Sequence, residues 1–556
     1  MELLAMFKNG AGLTALMLTA VWPASVVAGQ PGNQASSETI SALEAIMRKD
    51  ISDTTPGCVV GIHAPRTDVL RAYGQADLER HVANTVDSVF NLASASKQFT
   101  AAATLLLANE GKLSLDDDIR KFLPELPKWD HPITVDNLLN HTSGLRDFRF
   151  TDWLTGRDTL AQGNPDILAY AARQKSLNHV PGQSHSYTNT GYVLLAIIIE
   201  RVSGQSFADF TRDRLFVPAG MTRTGWEVDS QQLVDQRAMG YALAEPAQGE
   251  RPAKFIQMPT ARNTVGHGNL LSTASDMQRW NAALSRNAFG PKLTTQLEEP
   301  ARLANGFVIG YARGEFVGKY RGLREIQHGG YNGIYTAWIG RFPEVDVSMS
   351  LLCNGDADNV SPHDLIDLFL PETLPELETS QSGDSKDLSV YSGVYRHIDS
   401  DQVSLLAFPS QAKLDGTRFV MGPYTYEFPV GHPERITRHT YGNSMEWARV
   451  PEWTPAASTL NTFQGRFTSD ELLASYDISL DGQQLKLSLV GLSALTASLQ
   501  PRAKDIFETQ GLPQMQGILV RFKRDETGRI LGLSVAPDGL HELPFRKVEA
   551  PDPVPY

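Results

Sequence analysis

The sequence predicts an α/β domain over residues 38–370, a sheet flanked by helices, followed by two small antiparallel β domains at 387–450 and 459–549. Three observations carry this. Strand-like apolar runs stand at both ends of the first 370 residues with helical periodicities between them, so distant segments complete one sheet that helices cover. After Pro371 the chain reads P-E-T-L-P-E-L-E-T-S-Q-S-G-D-S-K-D, rich in Pro, Ser and acidic residues, which predicts a linker over 371–386. Beyond it come short alternating runs broken by D-G and G-P turns, the pattern of antiparallel β structure.

The elements follow in order. Residues 1–28 read as a secretory leader: an apolar stretch follows Lys8, and small residues suit cleavage after Ala28. Glu2 is unusual in such a leader, so Met6 is an alternative start. The expectation is an exported protein, periplasmic or secreted. No later segment offers the roughly 20 continuous apolar residues of a membrane span. An opening helix is expected near 38–50, then strands in C-V-V-G-I-H-A, V-L-R-A-Y-G and S-V-F-N-L. Helices are expected in the run that starts near Ser94, in G-Y-V-L-L-A-I-I-I-E-R-V-S-G and in N-L-L-S-T-A-S-D-M-Q-R-W-N-A-A-L. Strands return in E-I-Q-H-G-G, G-I-Y-T-A-W-I-G-R-F and D-V-S-M-S-L-L-C-N.

In the tail, L-S-V-Y-S-G-V-Y from Leu388 and L-N-T-F-Q-G-R-F from Leu460 share a pattern, each followed by an L-D-G hairpin signal at Leu414 and Leu480. This echo predicts two related β units joined by 451–458; a single larger barrel is the alternative.

Composition narrows function. The formal charge of the 556 residues is −13 with scattered cations, which argues against a nucleic-acid partner. At 41% hydrophobic and 20% charged, the chain is of ordinary globular composition. Cys58 and Cys353, both in strand-like runs, read as two separate buried thiols, although export permits a disulfide. The acidic triplet 116–118 reads as charge at the start of a helical turn.

The chemistry-bearing residues begin with N-L-A-S-A-S-K-Q-F-T at 91–100. Ser94 and Lys97 are three apart in a first helical turn, so hydroxyl and amine share a face. Such a pair suits an activated nucleophile; the alternative is a capping serine beside a solvated lysine. Tyr187 and Asn189 lie two apart before an apolar helix. A phenol near an ammonium gains acidity, and an amide orients a carbonyl, whereas a plain capping turn is the alternative. In Q-H-G-G-Y, His328 offers a cation or a hydrogen bond, Gly329 and Gly330 allow close backbone approach, and the Tyr331 amide suits an oxyanion; the alternative is a β-turn. His141, in L-L-N-H-T-S-G-L, reads as structural or supporting.

Together, S-A-S-K, Y-T-N and H-G-G in this order resemble the serine β-lactamase and penicillin-binding-protein superfamily. The Tyr-x-Asn form is similar to the class C branch (peptidase family S12). The His-Gly-Gly form with appended β domains most resembles D-stereospecific aminopeptidases, in which one tail barrel sends a loop towards the active site. The resemblance covers about 38–370. A second match, Tyr441-Gly442-Asn443, falls after His328 and so out of the family's order; it reads as coincidence.

The resemblance implies an antiparallel sheet flanked by helices and two tail barrels, the second lipocalin-like. It makes Ser94 the acylated nucleophile, Lys97 and Tyr187 the proton-transfer pair, Asn189 a substrate contact, and the amides of Ser94 and Tyr331 the oxyanion site. No metal or organic cofactor is required. Where many relatives carry Lys-Thr-Gly this chain has His328-Gly329-Gly330, which disfavours carboxylate-bearing penicillins. The implied activity is hydrolysis of a small peptide, amide or ester, foremost removal of an N-terminal D-residue. Esterase, β-lactamase and D-Ala-D-Ala carboxypeptidase activities are the alternatives. A non-catalytic binder or sensor of peptidoglycan fragments is the reading from another class.

Overall fold

Cys58–Ala64 runs between Thr67–Tyr73 and Val347–Cys353, antiparallel to both, so the two ends of the catalytic-domain sequence close one sheet. That sheet has six strands. Phe316–Tyr320, Leu323–Tyr331 and Thr336–Phe342 lead to Val347–Cys353, then Cys58–Ala64, then Thr67–Tyr73, each neighbour antiparallel. The computed structural model describes residues 35–548 apart from 66, 158–161, 245–254, 259–262, 358, 376–384, 400–401, 422–423, 430, 433, 513–516 and 537–542. The expected leader, 1–28, and most of the expected linker lie outside the described residues.

In this register Cys58 is directly opposite Cys353, and the two form a disulfide with a Cα–Cα distance of 4.0 Å. The reading of two separate thiols is thereby corrected: adjacent strands bring together residues 295 apart in sequence.

Two helices form the centre of the α layer. Lys97–Asn109 buries ten of its residues, and Asn189–Ser203 buries ten in an unbroken run from Thr190 to Ile199. Helices apolar on every side belong inside a core rather than on its surface. Here they pack against each other, while Ala274–Ser285 lies on the sheet against Cys58–Ala64 and Val347–Cys353. The acids of 116–118 turn inward on their own chain: Asp118 caps the short turn Ile119–Lys121, and Asp117 accepts from the Ser114 amide and Lys121. Among the described residues no helix is long and apolar enough to cross a membrane.

Besides a two-stranded ladder of Ser385–Lys386 with Ala412–Lys413, the tail forms two larger, separate sheets rather than a single barrel. The first is a six-stranded antiparallel sheet, from Val403–Leu406 at one edge to Arg418–Met421 at the other, curled around Tyr395, Tyr426 and Trp447. The second, from Gly465–Ser469 to Leu543–Val548, is a closed eight-stranded barrel. The sequence echo is visible in both: a 3₁₀ turn, Ser389–Tyr391 or Asn461–Phe463, leads into the first strand. The L-D-G turns place Gly416 and Gly482 at φ +63° and +62°, a left-handed conformation that glycine adopts without steric penalty. The barrel interior and the helical layer share one continuous apolar cluster, in which Phe467 and Tyr476 join Phe148 and Leu154.

Candidate active site

The nucleophile turn is built by strain and anchoring. Ala93 adopts φ +45°, unusual for a residue with a side chain, and its amide donates to Asn91 Oδ1 at 2.8 Å. The 3₁₀ turn Ala93–Ser96 then continues into Lys97–Asn109 with no side-chain cap, so Ser94 does not serve as the capping serine. Ser96 is fully buried; it donates to the Ala93 carbonyl at 2.6 Å and accepts from the Leu270 amide at 3.2 Å. Ser94 alone of the turn Ala93–Ser96 is partly exposed.

Lys97 is 0% exposed, and its Nζ lies 3.1 Å from Ser94 Oγ, 2.8 Å from Asn189 Oδ1 and 2.7 Å from the His267 carbonyl oxygen. Burial holds the amine well below the ordinary lysine range; the Asp147 carboxylate opposes this and Arg149 adds to it. A neutral amine has two N–H groups and one lone pair. The two carbonyl oxygens take the N–H groups, and the lone pair is left to the Ser94 hydroxyl.

Tyr187 stands at the loop end before Asn189–Ser203, its ring centroid 4.8 Å from Lys97 Nζ. Its hydroxyl is buried without a well-aligned hydrogen-bond partner. Burial raises the phenol's pKa, and the nearby Ser94 hydroxyl only partly offsets this. The expectation that an ammonium makes this phenol more acidic is therefore reversed. Both groups are desolvated, and a low-dielectric site favours the neutral amine beside the neutral phenol.

Asn189 uses both ends of its amide: Oδ1 accepts from Lys97, while Nδ2 donates to Asp147 Oδ2 at 2.8 Å and its backbone N donates to the same oxygen at 2.5 Å. Leu323–Tyr331 carries His328, Gly329, Gly330 and Tyr331 past the nucleophile turn. A Cβ on Gly330 would lie 2.1 Å from the Leu92 carbonyl oxygen and 3.1 Å from the Ala95 amide, so only glycine permits this approach. Tyr331 follows at the rim, 55% exposed.

His328 is buried, and both ring nitrogens are engaged. The Thr188 amide donates to His141 Nδ1 at 3.2 Å, which assigns the His141 proton to Nε2, 3.1 Å from Tyr311 Oη. Tyr311 in turn faces His328 Nε2 at 3.4 Å, and His328 Nδ1 donates to the Gly329 carbonyl at 2.5 Å. Burial, joined at low pH by the charge of a protonated Lys97, pushes the His328 pKa down to about 3, so the imidazole is neutral at pH 7. The cationic form allowed by the sequence is excluded there. His141 supports the site through Thr188 and Tyr311, as its turn context implied.

A family model described as Beta-lactamase matches residues 42–368. The chain belongs to the beta-lactamase family. Penicillin-binding protein 4* of Bacillus subtilis is 30% identical over 58% of this chain and 74% of its own length. The D-aminopeptidase of Brucella anthropi is 30% identical over 52% of this chain, which spans about half, 54%, of that relative. Among solved structures, the octameric penicillin-binding protein homologue from Pyrococcus abyssi covers 92% of this chain and 99% of its own, with 20% identity and a TM-score of 0.52. That likeness concerns fold alone.

The sequence motifs singled out Ser94, Lys97, Tyr187, Asn189 and the His328–Tyr331 strand end, and the fold brings these residues together around the nucleophile turn. The motifs missed Asp147, Tyr311 and the His267 carbonyl. Asp147 carried a usable signal, an aspartate at a helix N-cap position just after L-L-N-H-T-S-G-L. Tyr311 carried none, because its partners lie 170 and 17 residues away.

Proposed function

We propose that the chain is an exported serine hydrolase that cleaves a small peptide, amide or ester through an acyl-enzyme on Ser94, foremost as an aminopeptidase acting on N-terminal D-residues. The observation that carries the reading is the buried Lys97 amine 3.1 Å from Ser94 Oγ with its N–H groups already taken by Asn189 and His267. In this reading Ser94 Oγ bonds to the substrate carbonyl carbon while its proton passes to Lys97 Nζ. The amides of Ser94 and Tyr331 receive the oxyanion, where one donor contributes about a hundredfold to a thousandfold in rate. The carbon–nitrogen or carbon–oxygen bond then breaks. Tyr187, kept protonated by burial, gives its proton to the leaving group and regains one from Lys97. Water adds to the acyl-enzyme by the reverse proton path and frees Ser94.

The neutral His328 supports substrates that lack a carboxylate at that position, and the D-aminopeptidase relative supports an amine-bearing one. The relation to penicillin-binding protein 4* favours a second reading, in which Ser94 reacts with penicillins. The Cys58–Cys353 disulfide supports export, because such bonds persist in oxidising compartments. The first test is a serine-directed phosphonate with the adduct located by mass spectrometry: labelling at Ser94 is expected, and none there defeats the hydrolase reading. Turnover of a D-alanine anilide, a short acyl ester and a chromogenic cephalosporin then separates the substrate classes. Turnover of the ester alone rejects the aminopeptidase assignment.

A further inference from the structure

The eight-stranded barrel grips the chain on both sides of Asp147. On one side the Arg146 guanidinium pairs with Glu471, from the barrel loop between Gly465–Ser469 and Ala474–Asp481, at 3.1 Å with side-chain exposures of 6% and 7%. On the other, the helix Phe148–Thr155 meets the barrel at its far end: Tyr476 Oη donates to the Leu154 carbonyl at 2.5 Å. Gly156, the helix C-cap at φ +64°, would place a Cβ 2.7 Å from a Leu492 methyl, so the barrel lies directly against it. Arg173 adds a bond from Nε to the Glu471 carbonyl at 3.0 Å.

Between these holds, residues 146–148 clamp the start of the Asn189 helix. Thr190 Oγ1 donates to the Arg146 carbonyl at 2.7 Å and accepts from the Phe148 amide at 3.0 Å. Asp147 Oδ1 accepts from the Arg149 amide at 2.8 Å, leaving Oδ2 for Asn189. A carboxylate only accepts, so it decides which end of the Asn189 amide faces it. The Nδ2 end turns to Asp147 and the Oδ1 end to Lys97.

We propose that Asp147 is a positioning residue for the Asn189–Lys97 pair, and that Glu471 of the barrel holds Asp147 in place through Arg146. The barrel is then part of the active site's construction although it contributes no group to the reacting atoms. The catalytic part of this inference rests on the hydrolase reading above; the structural part does not. The groups that face Lys97 are Ser94 on its own turn, Tyr187 in the loop before the neighbouring helix, Asn189 and Tyr192 on that helix, Asp147 and Arg149, and the His267 carbonyl, with the His141 and His328 rings feeling its charge when it is protonated. Asp147 is the anion of this set, so its removal disfavours the ammonium.

The test uses the full chain labelled with 13Cε-lysine, the Lys97 resonance being identified by its loss in Lys97→Ala. Asp147→Asn, and Asp147→Ser, which keeps an N-cap oxygen should the first fold poorly, are expected to move the Lys97 titration to lower pH. Both are also expected to slow phosphonate labelling of Ser94 by about tenfold or more, with its acid limb displaced the same way. Glu471→Gln, which removes the barrel's charge and leaves the Arg146 bonds to the Ser176 carbonyl and hydroxyl in place, is measured beside a double variant. Arg146→Met with Glu471→Met replaces the buried ion pair by apolar side chains, a change that commonly preserves folding. It is expected to reproduce both effects while thermal unfolding stays cooperative. An unmoved Lys97 titration in the Asp147 variants overturns the positioning role, and a wild-type-like titration in the folded double variant overturns the barrel's part. If wild-type Ser94 takes no label, the hydrolase reading falls, while the titration still decides this inference.

Discussion

Two Tyr-x-Asn triplets in one chain have opposite surroundings. Tyr187-Thr188-Asn189 runs straight into a buried helix, which fixes the Asn189 amide between Lys97 and Asp147 and sets the Tyr187 ring over Lys97. Tyr441-Gly442-Asn443 turns a hairpin, with Tyr441 and Gly442 at φ +48° and +75°, and Asn443 is exposed. The difference lies in what each backbone leads into rather than in the three residues. The hairpin nonetheless reaches the catalytic domain. Tyr441 Oη is 3.0 Å from His185 Nδ1, and the rings run from Tyr441 through His185 and His141 to Tyr187 at centroid spacings of 5.3, 6.0 and 4.1 Å. A triplet set aside on sequence order thus stands at the edge of the site, in a supporting position.

The largest expected effect separates the triplets at the chemistry. Tyr187→Phe and Lys97→Ala should each lower acylation of Ser94 by about a hundredfold to ten-thousandfold, measured as the rate of phosphonate labelling or ester turnover. A rate within about threefold of wild type for either variant rejects its proton-transfer role.

The next effect tests the strand that closes the site. Gly330→Ala drives a methyl into the Leu92 carbonyl, whereas a Cβ on Gly329 meets nothing nearer than the Ala337 carbonyl at 3.8 Å. We expect Gly330→Ala to lose roughly 1–3 kcal/mol of stability, the usual range for overpacking, and to slow acylation because Leu92 and Ala95 flank the nucleophile. Gly329→Ala should be close to wild type in both. Equal behaviour of the two in thermal unfolding contradicts the close approach at Gly330.

A smaller effect is read from pH. His328 titrates at about 3 in the fold against an ordinary 6.5, so above 6.5 it is neutral folded or unfolded and its contribution is complete. As pH falls below 6.5 the unfolded chain binds the proton first, and stability declines by about 1.4 kcal/mol per unit until the folded value is reached. At pH 5 this group alone accounts for about 2 kcal/mol. Denaturant unfolding of wild type and His328→Gln at pH 7 and pH 5 checks the sign: the variant should show the shallower loss.

What the sequence made legible follows a physical division. Ser94 and Lys97 are neighbours within one helical turn, so their spacing alone brought them together. The sheet was legible because Cys58–Ala64 and Val347–Cys353 are short, mostly apolar runs, and both are buried almost throughout. The disulfide was not, since register between strands so far apart leaves no local mark. Nor was the neutral state of His328, which depends on burial among Tyr311, Phe316 and Lys97. Asp147 stood in plain view as a helix cap; its second carboxylate oxygen acquires a role only when the Asn189 helix arrives beside it.

The smallest expected effect returns to the second triplet. Tyr441→Phe removes only the hydroxyl that meets His185, leaving the ring against Phe307 and the Asn305 side chain bonded to the Tyr441 carbonyl at 3.2 Å. A lost hydrogen bond of this kind changes stability by about 1 kcal/mol. Because the hydroxyl is separated from Tyr187 by two imidazole rings, kcat for a small ester should change by less than about threefold, a difference below 1 kcal/mol. A fall approaching that of Tyr187→Phe makes the two triplets equivalent after all and moves Tyr441 into the catalytic set. A small change in kcat with a larger rise in KM for longer peptides makes the hairpin a rim that senses substrate length, the sharper version of the same contrast.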